Sequence, residues 1–141
     1  MRAIASLLVR SRITPVVTAV AFASVDLGHK LMTRADYHHV RSPFAVLAMA
    51  VVIIGLVTLV PRVPSRAALL GAGIAAGGAL GNLLSVLVWS QGVPDPFVVE
   101  GTRQGIAFNL ADLFAVGGDA LLLSAVLVYG LRHREQLRER V

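Results

Sequence analysis

The chain has 141 residues, of which 56% are hydrophobic and only 15% are charged, and its formal net charge is +5. Soluble domains carry about a quarter charged residues, so this composition excludes an ordinary soluble enzyme and indicates one integral membrane domain spanning residues 1–141. The sequence contains no cysteine, which excludes disulfides, thiolate nucleophiles and cysteine-based metal sites. The basic excess is typical of cytoplasmic segments of membrane proteins, and we expect no nucleic-acid partner.

The four histidines do not follow a metal-binding pattern. His38 and His39 are adjacent, whereas His29 and His133 stand alone, and this is poor spacing for the ligands of one metal ion. We therefore expect neither a metal nor a cofactor. From the composition, the expected partner of the chain is the lipid bilayer.

Four apolar segments are each long enough to cross a bilayer as a helix. Pro15 falls in the opening turn of the first segment, Pro43 precedes the second, and Pro61 ends it, all of which are positions that helices tolerate. The predicted spans are 13–32, 44–60, 67–89 and 108–131. They predict an all-α integral membrane protein built as a bundle of four transmembrane helices.

The first segment also has features of a secretory signal peptide. Ala21-Phe22-Ala23 follows an apolar run and is similar to a small-residue cleavage site. The apolar face continues past this point to Leu31, which favours a retained helix, and cleavage stays open as an alternative.

The distribution of basic residues predicts the orientation of the chain in the membrane. Nine of the 13 Lys and Arg residues lie in the N-terminal segment, in the turn between the second and third spans, and in the C-terminal tail. Because cytoplasmic segments carry the excess of basic residues, both termini are expected inside the cell. Trp89 then marks the outer membrane interface.

This orientation brings polar residues of three spans to one depth near the outer surface. Ser85 precedes Trp89 by four residues, or about 6 Å of helix, and Asp112 enters the fourth span from the same side. Asp26 lies in the outward half of the first span. Ionisable residues inside a membrane are costly and are functional by default, so these positions predict a site.

The third span carries a stripe of small residues. Gly73, Gly77 and Gly81 recur every fourth residue, and Ser85 continues the stripe. Such stripes let helices approach closely in lipid, so we interpret the glycines as a packing surface. Asn82 is suited to an interhelical hydrogen bond that orients a carboxylate.

Three segments resemble the ordered motifs of lipoprotein signal peptidase, or signal peptidase II. They are Asp26-Leu27-Gly28-His29-Lys30, Gly81-Asn82-Leu83-Leu84 and Phe108-Asn109-Leu110-Ala111-Asp112, and Gly92-Val93-Pro94-Asp95 is similar to the family's loop between the last two spans. The resemblance covers most of the chain. It implies a four-span protein of the bacterial inner-membrane type with both termini inside. It also implies a pair of aspartates near the outer surface that cleave signal peptides from lipid-modified prolipoproteins.

The chain departs from the resembled family at one aspartate of that pair. The family's third-span motif continues from Gly-Asn through two residues to Asp-Arg, and those positions hold Ser85 and Val86 here. On this mapping Asp112 is the retained catalytic position and Ser85 replaces its partner. The supporting site residues implied by the motifs are Asn82, Asn109, Asp26 and Lys30. The family's asparagine-and-glycine motif before the second span is also missing, replaced by Val40-Arg41-Ser42-Pro43-Phe44.

The missing carboxylate matters because two close carboxylates share one proton, so that one activates water and the other protonates the leaving amine. Three replacements stay open. Asp26 could act, although an i,i+4 pair with Lys30 explains it structurally. Asp119 lies about 10 Å deeper along the helix than Asp112, which is too far to share a proton with it directly. Ser85 with Lys30 as base would form a serine–lysine pair, for which nothing in the spacing argues.

Three functions follow as hypotheses. The favoured one is a catalytically degenerate relative of signal peptidase II that retains a membrane groove and acts as a binding or accessory subunit for lipidated proteins or another membrane protein. The alternative is an active aspartic-type endopeptidase that removes prolipoprotein signal peptides with another partner for Asp112. The third is a small transporter or channel subunit whose ion path uses Asp26, Asp112 and Asp119.

Overall fold

The protein is mostly helical. The computed structural model describes residues 2–99 and 105–134, with side chains from residue 12 onward. Its helices are α1 (Arg2–Met32), α2 (Pro43–Leu59), α3 (Arg66–Val88) and α4 (Leu110–Arg132), with a short 3₁₀ helix at Val60–Arg62. The predicted charged tail beyond residue 134 and the loop residues 100–104 lie outside the described residues.

Three segments of the described residues are long and apolar enough to cross a membrane: Pro43–Arg62, Arg66–Val88 and Leu110–Arg132. They correspond to the second, third and fourth spans expected from the sequence. The protein is therefore a helical membrane protein. α1 contains the whole of the predicted first span but begins well before it, at Arg2.

The fourth predicted span and α4 differ at their start. The span was expected from Phe108, whereas Phe108 belongs to a short strand and α4 begins at Leu110. The cause is Asn109, whose side chain accepts a hydrogen bond from the backbone N–H of Asp112 and so caps the helix. The side chain of Asp112 accepts in return from the N–H of Asn109, which completes a capping box.

Helix α3 is the centre of the bundle, because it packs against α1, α2 and α4. Its small residues make these contacts close. A Cβ added at Gly77 would lie 2.7 Å from Cβ of Phe22 on α1, and one added at Gly71 would lie 2.5 Å from the backbone N of Leu122 on α4. The interpretation of the glycine stripe as a packing surface is thereby confirmed, and a second small-residue surface faces α4.

Two small antiparallel sheets cover the end of the bundle where α1 and α3 end and α2 and α4 begin. In the first, β1 (Tyr37–His39) pairs with β2 (Val93–Asp95), and Tyr37 lies opposite Asp95. In the second, β3 (Phe97–Val99) pairs with β4 (Ile106–Phe108). The sheets join the loop after α1 to the loop before α4, and they place β2 against the end of α3.

Candidate functional site

A buried cluster of hydrogen-bonded polar side chains lies beneath the sheets, and Lys30 is its centre. The Nζ of Lys30 donates to Oδ2 of Asp26 at 2.7 Å, to Oδ1 of Asn82 at 3.0 Å and to Oγ of Ser85 at 3.0 Å. An ammonium group has three N–H donors, so these contacts use all of them. The i,i+4 pairing of Asp26 and Lys30 is confirmed, and both side chains are fully buried.

Asp26 connects α1 to the first turn of α4. Its Oδ1 accepts a hydrogen bond at 2.9 Å from the backbone N–H of Ala111, while its Oδ2 accepts from Lys30. The first N–H groups of a helix have no partner inside the helix and favour a negative charge nearby. Gly81 allows the approach, because a Cβ there would lie 2.6 Å from Oδ2 of Asp26. Asp26 therefore has a structural role that occupies both of its oxygens.

Asn82 carries the hydrogen-bond network from Lys30 to Asp112. Its Oδ1 accepts from the ammonium of Lys30, and its Nδ2 donates to Oδ1 of Asp112 at 2.9 Å. Because an ammonium group can only donate, it fixes which end of the amide faces Lys30. Asn82 must then present its N–H₂ group to Asp112, as expected for an amide that orients a carboxylate.

Asn109 joins two carboxylates. Its backbone N–H donates to Oδ2 of Asp112 at 3.1 Å, and its side-chain Nδ2 donates to Oδ1 of Asp95 at 2.5 Å and to the carbonyl oxygen of Pro94 at 3.3 Å. The side-chain Oδ1 of Asn109 accepts the N–H of Asp112, so this amide also has only one possible orientation. Asp95 and Asp112 therefore both accept a hydrogen bond from Asn109.

Asp95 is the residue that the sequence interpretation missed as a site residue. It ends β2 and is only 2% exposed, and it lines a cleft of about 300 Å³ with residues of β1 and β4. The signal that could have found it was the similarity of Gly92-Val93-Pro94-Asp95 to the family's last loop. That loop lies outside the predicted spans, where an acidic residue is common and does not by itself indicate a site.

Each of the two carboxylates also has a basic side chain beside it from the chain around β1. Nδ1 of His39 lies 3.4 Å from Oδ2 of Asp95, and Nη2 of Arg41 lies 3.8 Å from Oδ1 of Asp112. The side chain of His39 is 62% exposed and that of Arg41 is 27% exposed. The carboxylates thus lie between the buried polar cluster and an accessible basic edge.

The structure brings all six predicted site residues to this end of the bundle. Ser85 does not meet Asp112 directly: its hydroxyl donates to the carbonyl oxygen of Gly81 at 2.7 Å and accepts from Lys30. The hydrogen-bonded path from Ser85 to Asp112 runs through Lys30 and Asn82. Asp119, considered as a replacement partner, is exposed on α4. In the part of the chain that the structure describes, no three His, Asp or Glu side chains are grouped to hold a metal ion.

These features define a class: a helical multi-pass membrane protein with a polar, carboxylate-bearing site at one end of its bundle. The comparison with known families is more specific. The family described as signal peptidase (SPase) II matches residues 18–128, which is most of the chain and contains every residue of the site. The chain belongs to the signal peptidase II family, whose members process lipoproteins. No curated protein matches the chain.

Proposed function

We propose that this protein is an active endopeptidase that removes the signal peptides of lipid-modified prolipoproteins, with Asp95 and Asp112 as its acid–base pair. The observation that carries the proposal is Asn109, which donates one hydrogen bond to each carboxylate. This pairing supplies the partner for Asp112 that the alternative hypothesis required. It differs from the mapping in which Ser85 occupies the position of the second carboxylate.

The hydrogen bonds around the pair support a division of roles. Both oxygens of Asp112 accept hydrogen bonds from N–H donors, one from Asn82 and one from Asn109, so both are oriented as acceptors, as a general base requires. Asp95 accepts one N–H at Oδ1, and its Oδ2 faces His39. We assign the base to Asp112 and the acid to Asp95, with the shared proton on Oδ2 of Asp95.

Hydrolysis then proceeds as one exchange of protons. Asp112 takes a proton from water as the water oxygen forms a bond to the scissile carbonyl carbon, and Asp95 gives its proton to the leaving nitrogen as the carbon–nitrogen bond breaks. The pair ends with one proton, as it began, now on Asp112. A second exchange with solvent returns that proton to Asp95.

The buried cluster has a supporting role in this proposal. Lys30 fixes the amide of Asn82, and Asn82 in turn fixes one oxygen of Asp112. Ser85 fills the third donor position of Lys30 and takes no part in proton transfer. A serine–lysine nucleophile is disfavoured because the Ser85 side chain is fully buried and its hydroxyl hydrogen is committed to a backbone carbonyl.

The degenerate binding subunit remains the second candidate, and one observation favours it. Ser85 and Val86 stand where the family motif has Asp-Arg, so the third helix carries no charged side chain at those positions. The ion-pathway hypothesis has less support, because Asp119 is exposed and both oxygens of Asp26 are occupied. Asp26 is linked to Asp112 through Lys30 and Asn82, but both of its oxygens are held by N–H donors.

The proposal includes the setting of the protein in the membrane. We propose that α1 also crosses the membrane, which makes four spans, that both termini are cytoplasmic, and that the carboxylate pair lies near the outer surface of a bacterial-type plasma membrane. The support is the excess of basic residues in the segments assigned to the inside. A site near the outer surface would lie at the level of the outer leaflet, which holds the glyceride group of a lipid-modified substrate.

The test is cleavage of a diacylglyceryl-modified prolipoprotein by purified protein in detergent or lipid nanodiscs. Wild type should cleave, and Asp95→Asn and Asp112→Asn should each lower the rate by about 10²–10⁴-fold, the usual effect of losing one partner in general acid–base catalysis. Asp119→Asn is the matched control and should retain the wild-type rate. Absence of cleavage by a folded wild type would favour the binding subunit, and full activity of Asp95→Asn would overturn the assigned pair.

A further inference from the structure

The hydrolysis proposed for this site needs a hydrogen-bond donor besides the two carboxylates. When the water oxygen bonds to the scissile carbonyl carbon, an electron pair of the C=O bond moves onto the carbonyl oxygen, which becomes negatively charged. Enzymes stabilise such a charge with donors that are already in place. Asp112 and Asp95 handle the protons of the water and of the leaving nitrogen, so the donor to this oxygen must be another group.

Several donors near the pair are already in use. The ammonium of Lys30 gives its three N–H groups to the buried cluster. The side-chain amides of Asn82 and Asn109 each donate to one carboxylate of the pair, and both residues are buried. These groups hold the pair in place, so they are poor candidates for a substrate oxygen.

The guanidinium of Arg41 has donors to offer. Its Nη2 lies 3.8 Å from Oδ1 of Asp112, which is too long for a hydrogen bond. Among the described residues, Nε of Arg41 is buried and has no hydrogen-bond partner, and an orphaned buried donor calls for an explanation. The side chain is 27% exposed, so a substrate can reach it. Arg41 lies beside the base, where the water attacks, whereas His39 lies beside Asp95, where the leaving nitrogen receives its proton.

The backbone of Arg41 is anchored on both sides. β1 ends two residues earlier at His39, whose carbonyl oxygen would lie 2.7 Å from a Cβ at Gly92. Gly92 has a φ of +108°, and its missing side chain allows this close approach. On the other side, the Ser42 side chain caps α2 by accepting a hydrogen bond at 3.2 Å from the N–H of Ala45. Arg41 is therefore presented to the carboxylates by a short segment that is fixed before substrate arrives.

We propose that Arg41 is a catalytic residue that donates hydrogen bonds to the carbonyl oxygen of the scissile peptide bond and stabilises its negative charge. This inference rests on the proposed function, because it names the group that completes the same reaction. The electron pair held on the oxygen returns to the carbon as the carbon–nitrogen bond breaks and Asp95 gives its proton to the nitrogen. Arg41 keeps all of its protons throughout.

A simple ion pair with Asp112 is the competing explanation for the position of Arg41. The two side chains are 27% and 35% exposed, and ion pairs between partly exposed groups contribute little. Asp112 is held independently of Arg41 by hydrogen bonds from Asn82 and Asn109. If Arg41 were only an ion-pair partner, its removal would leave the base in place and would change the rate of cleavage little.

The kinetic test uses the prolipoprotein assay with substitutions of Arg41. Arg41→Ala should lower kcat by about 10²–10³-fold, the usual effect of losing one donor to the developing oxyanion. Arg41→Lys should have an intermediate kcat, because an ammonium keeps the charge without the planar fork of donors. Arg34→Ala is the matched control, since Arg34 is an exposed arginine between α1 and β1, and it should retain the wild-type rate. The fold of each variant is checked by circular dichroism.

Three further measurements separate a transition-state role from other roles. The dissociation constant of the substrate, measured with Asp95→Asn so that cleavage does not interfere, should be the same when Arg41→Ala is added. Guanidinium chloride at a concentration that leaves the protein folded should restore part of the Arg41→Ala rate, whereas sodium chloride at the same concentration should not. The loss of rate should be the same factor at every pH, because a guanidinium stays charged.

The possible failures are distinct. Wild-type kcat in Arg41→Ala, or a loss confined to substrate binding, would overturn the role of Arg41 and leave the proposed function standing. A loss confined to acid pH would mean that Arg41 acts on Asp112 instead of on the substrate, and it would overturn the role as well. The same holds for a loss that neither guanidinium nor Arg41→Lys reduces. If folded wild type cleaves nothing, the proposed function fails and the role of Arg41 fails with it.

Discussion

The Nζ of Lys30 lies 3.0 Å from Oγ of Ser85, although the two residues are 55 positions apart. Among the described residues, Asp26 forms the ion pair with Lys30, and Ser85 adds a neutral acceptor to the same ammonium. The family motif has an acid where this chain has Ser85, so position 85 supplies no second carboxylate to compete with Asp26 for Lys30. The serine is thus compatible with an intact site next to it.

The first prediction concerns Ser85. Ser85→Ala should retain most of the cleavage activity, because the hydroxyl takes no part in proton transfer, and it should lower the free energy of unfolding by about 1.5–3 kcal/mol through loss of a hydrogen bond to a charged group. Activity is measured with the prolipoprotein assay and stability by denaturant titration in detergent.

Ser85→Asp separates the two candidate functions. The degenerate-subunit hypothesis expects an inactive wild type that gains activity when a carboxylate is placed at position 85. The proposed function expects no gain, because the new carboxylate would compete with Asp26 for Lys30 and place like charges together. A rise in rate that depends on Asp112 would contradict the Asp95–Asp112 assignment.

The second prediction concerns the buried ion pair. Lys30→Met leaves the carboxylate of Asp26 buried without a cation, and removing one partner of such a pair usually costs about 3–5 kcal/mol. It also releases the amide of Asn82, so kcat should fall. The double substitution Asp26→Asn/Lys30→Met removes both charges and should recover part of the lost stability. If the loss of stability in the double variant equals the sum of the losses measured for Asp26→Asn and Lys30→Met alone, the two residues are not coupled.

The third prediction compares two adjacent glycines on α4. A Cβ at Gly118 would collide with the backbone of Ala75 on α3, whereas a Cβ at Gly117 meets nothing within 4 Å. Backbone atoms cannot move aside as side chains do, so Gly118→Ala should destabilise the bundle by about 1–3 kcal/mol. Gly117→Ala should be neutral or slightly stabilising, since alanine favours a helix more than glycine does. Equal effects of both substitutions on thermal unfolding would mean that α3 and α4 do not pack as described.

The fourth prediction concerns membrane topology. Reporter fusions at Asp36 should show activity characteristic of the outside, and fusions after Val141 should show activity characteristic of the inside. The reason is the inside-positive distribution of Lys and Arg along the chain. A C-terminal reporter that is active outside would reject both the orientation and the placement of the site near the outer surface.

Much of the helical fold could be predicted from the sequence. Long apolar runs have few alternatives in lipid, because every backbone group must be satisfied within a helix, and α2, α3 and α4 follow the predicted spans within a few residues at each end. Asn109 shows why the ends differ. The apolar pattern includes Phe108, but the Asn109 cap makes α4 begin at Leu110. Such a cap depends on the geometry of a side chain and the backbone N–H three residues later, and hydropathy does not report it.

The site could be predicted only in part, for a different physical reason. Motif order identified Asp26, Asn82 and Asp112, and the structure joins them in one network. The pairing of β1 with β2 depends on contacts between residues far apart in the chain, and three-residue strands leave no usable pattern. Asp95 and His39 are brought to the carboxylate site by that pairing, and no local sequence pattern joins them.

The hydrogen bond from Ala111 to Asp26 links residues 85 positions apart, and it has a consequence for biosynthesis. The first helix leaves the ribosome long before the fourth, and the opening turn of α4 finds its acceptor only when the two meet in the membrane. The Asn109 cap and the orientation of Asp112 belong to that same turn. A partly inserted chain therefore lacks the acceptor for the opening turn of α4, and the carboxylate of Asp112 reaches its place only when α1 and α4 have come together.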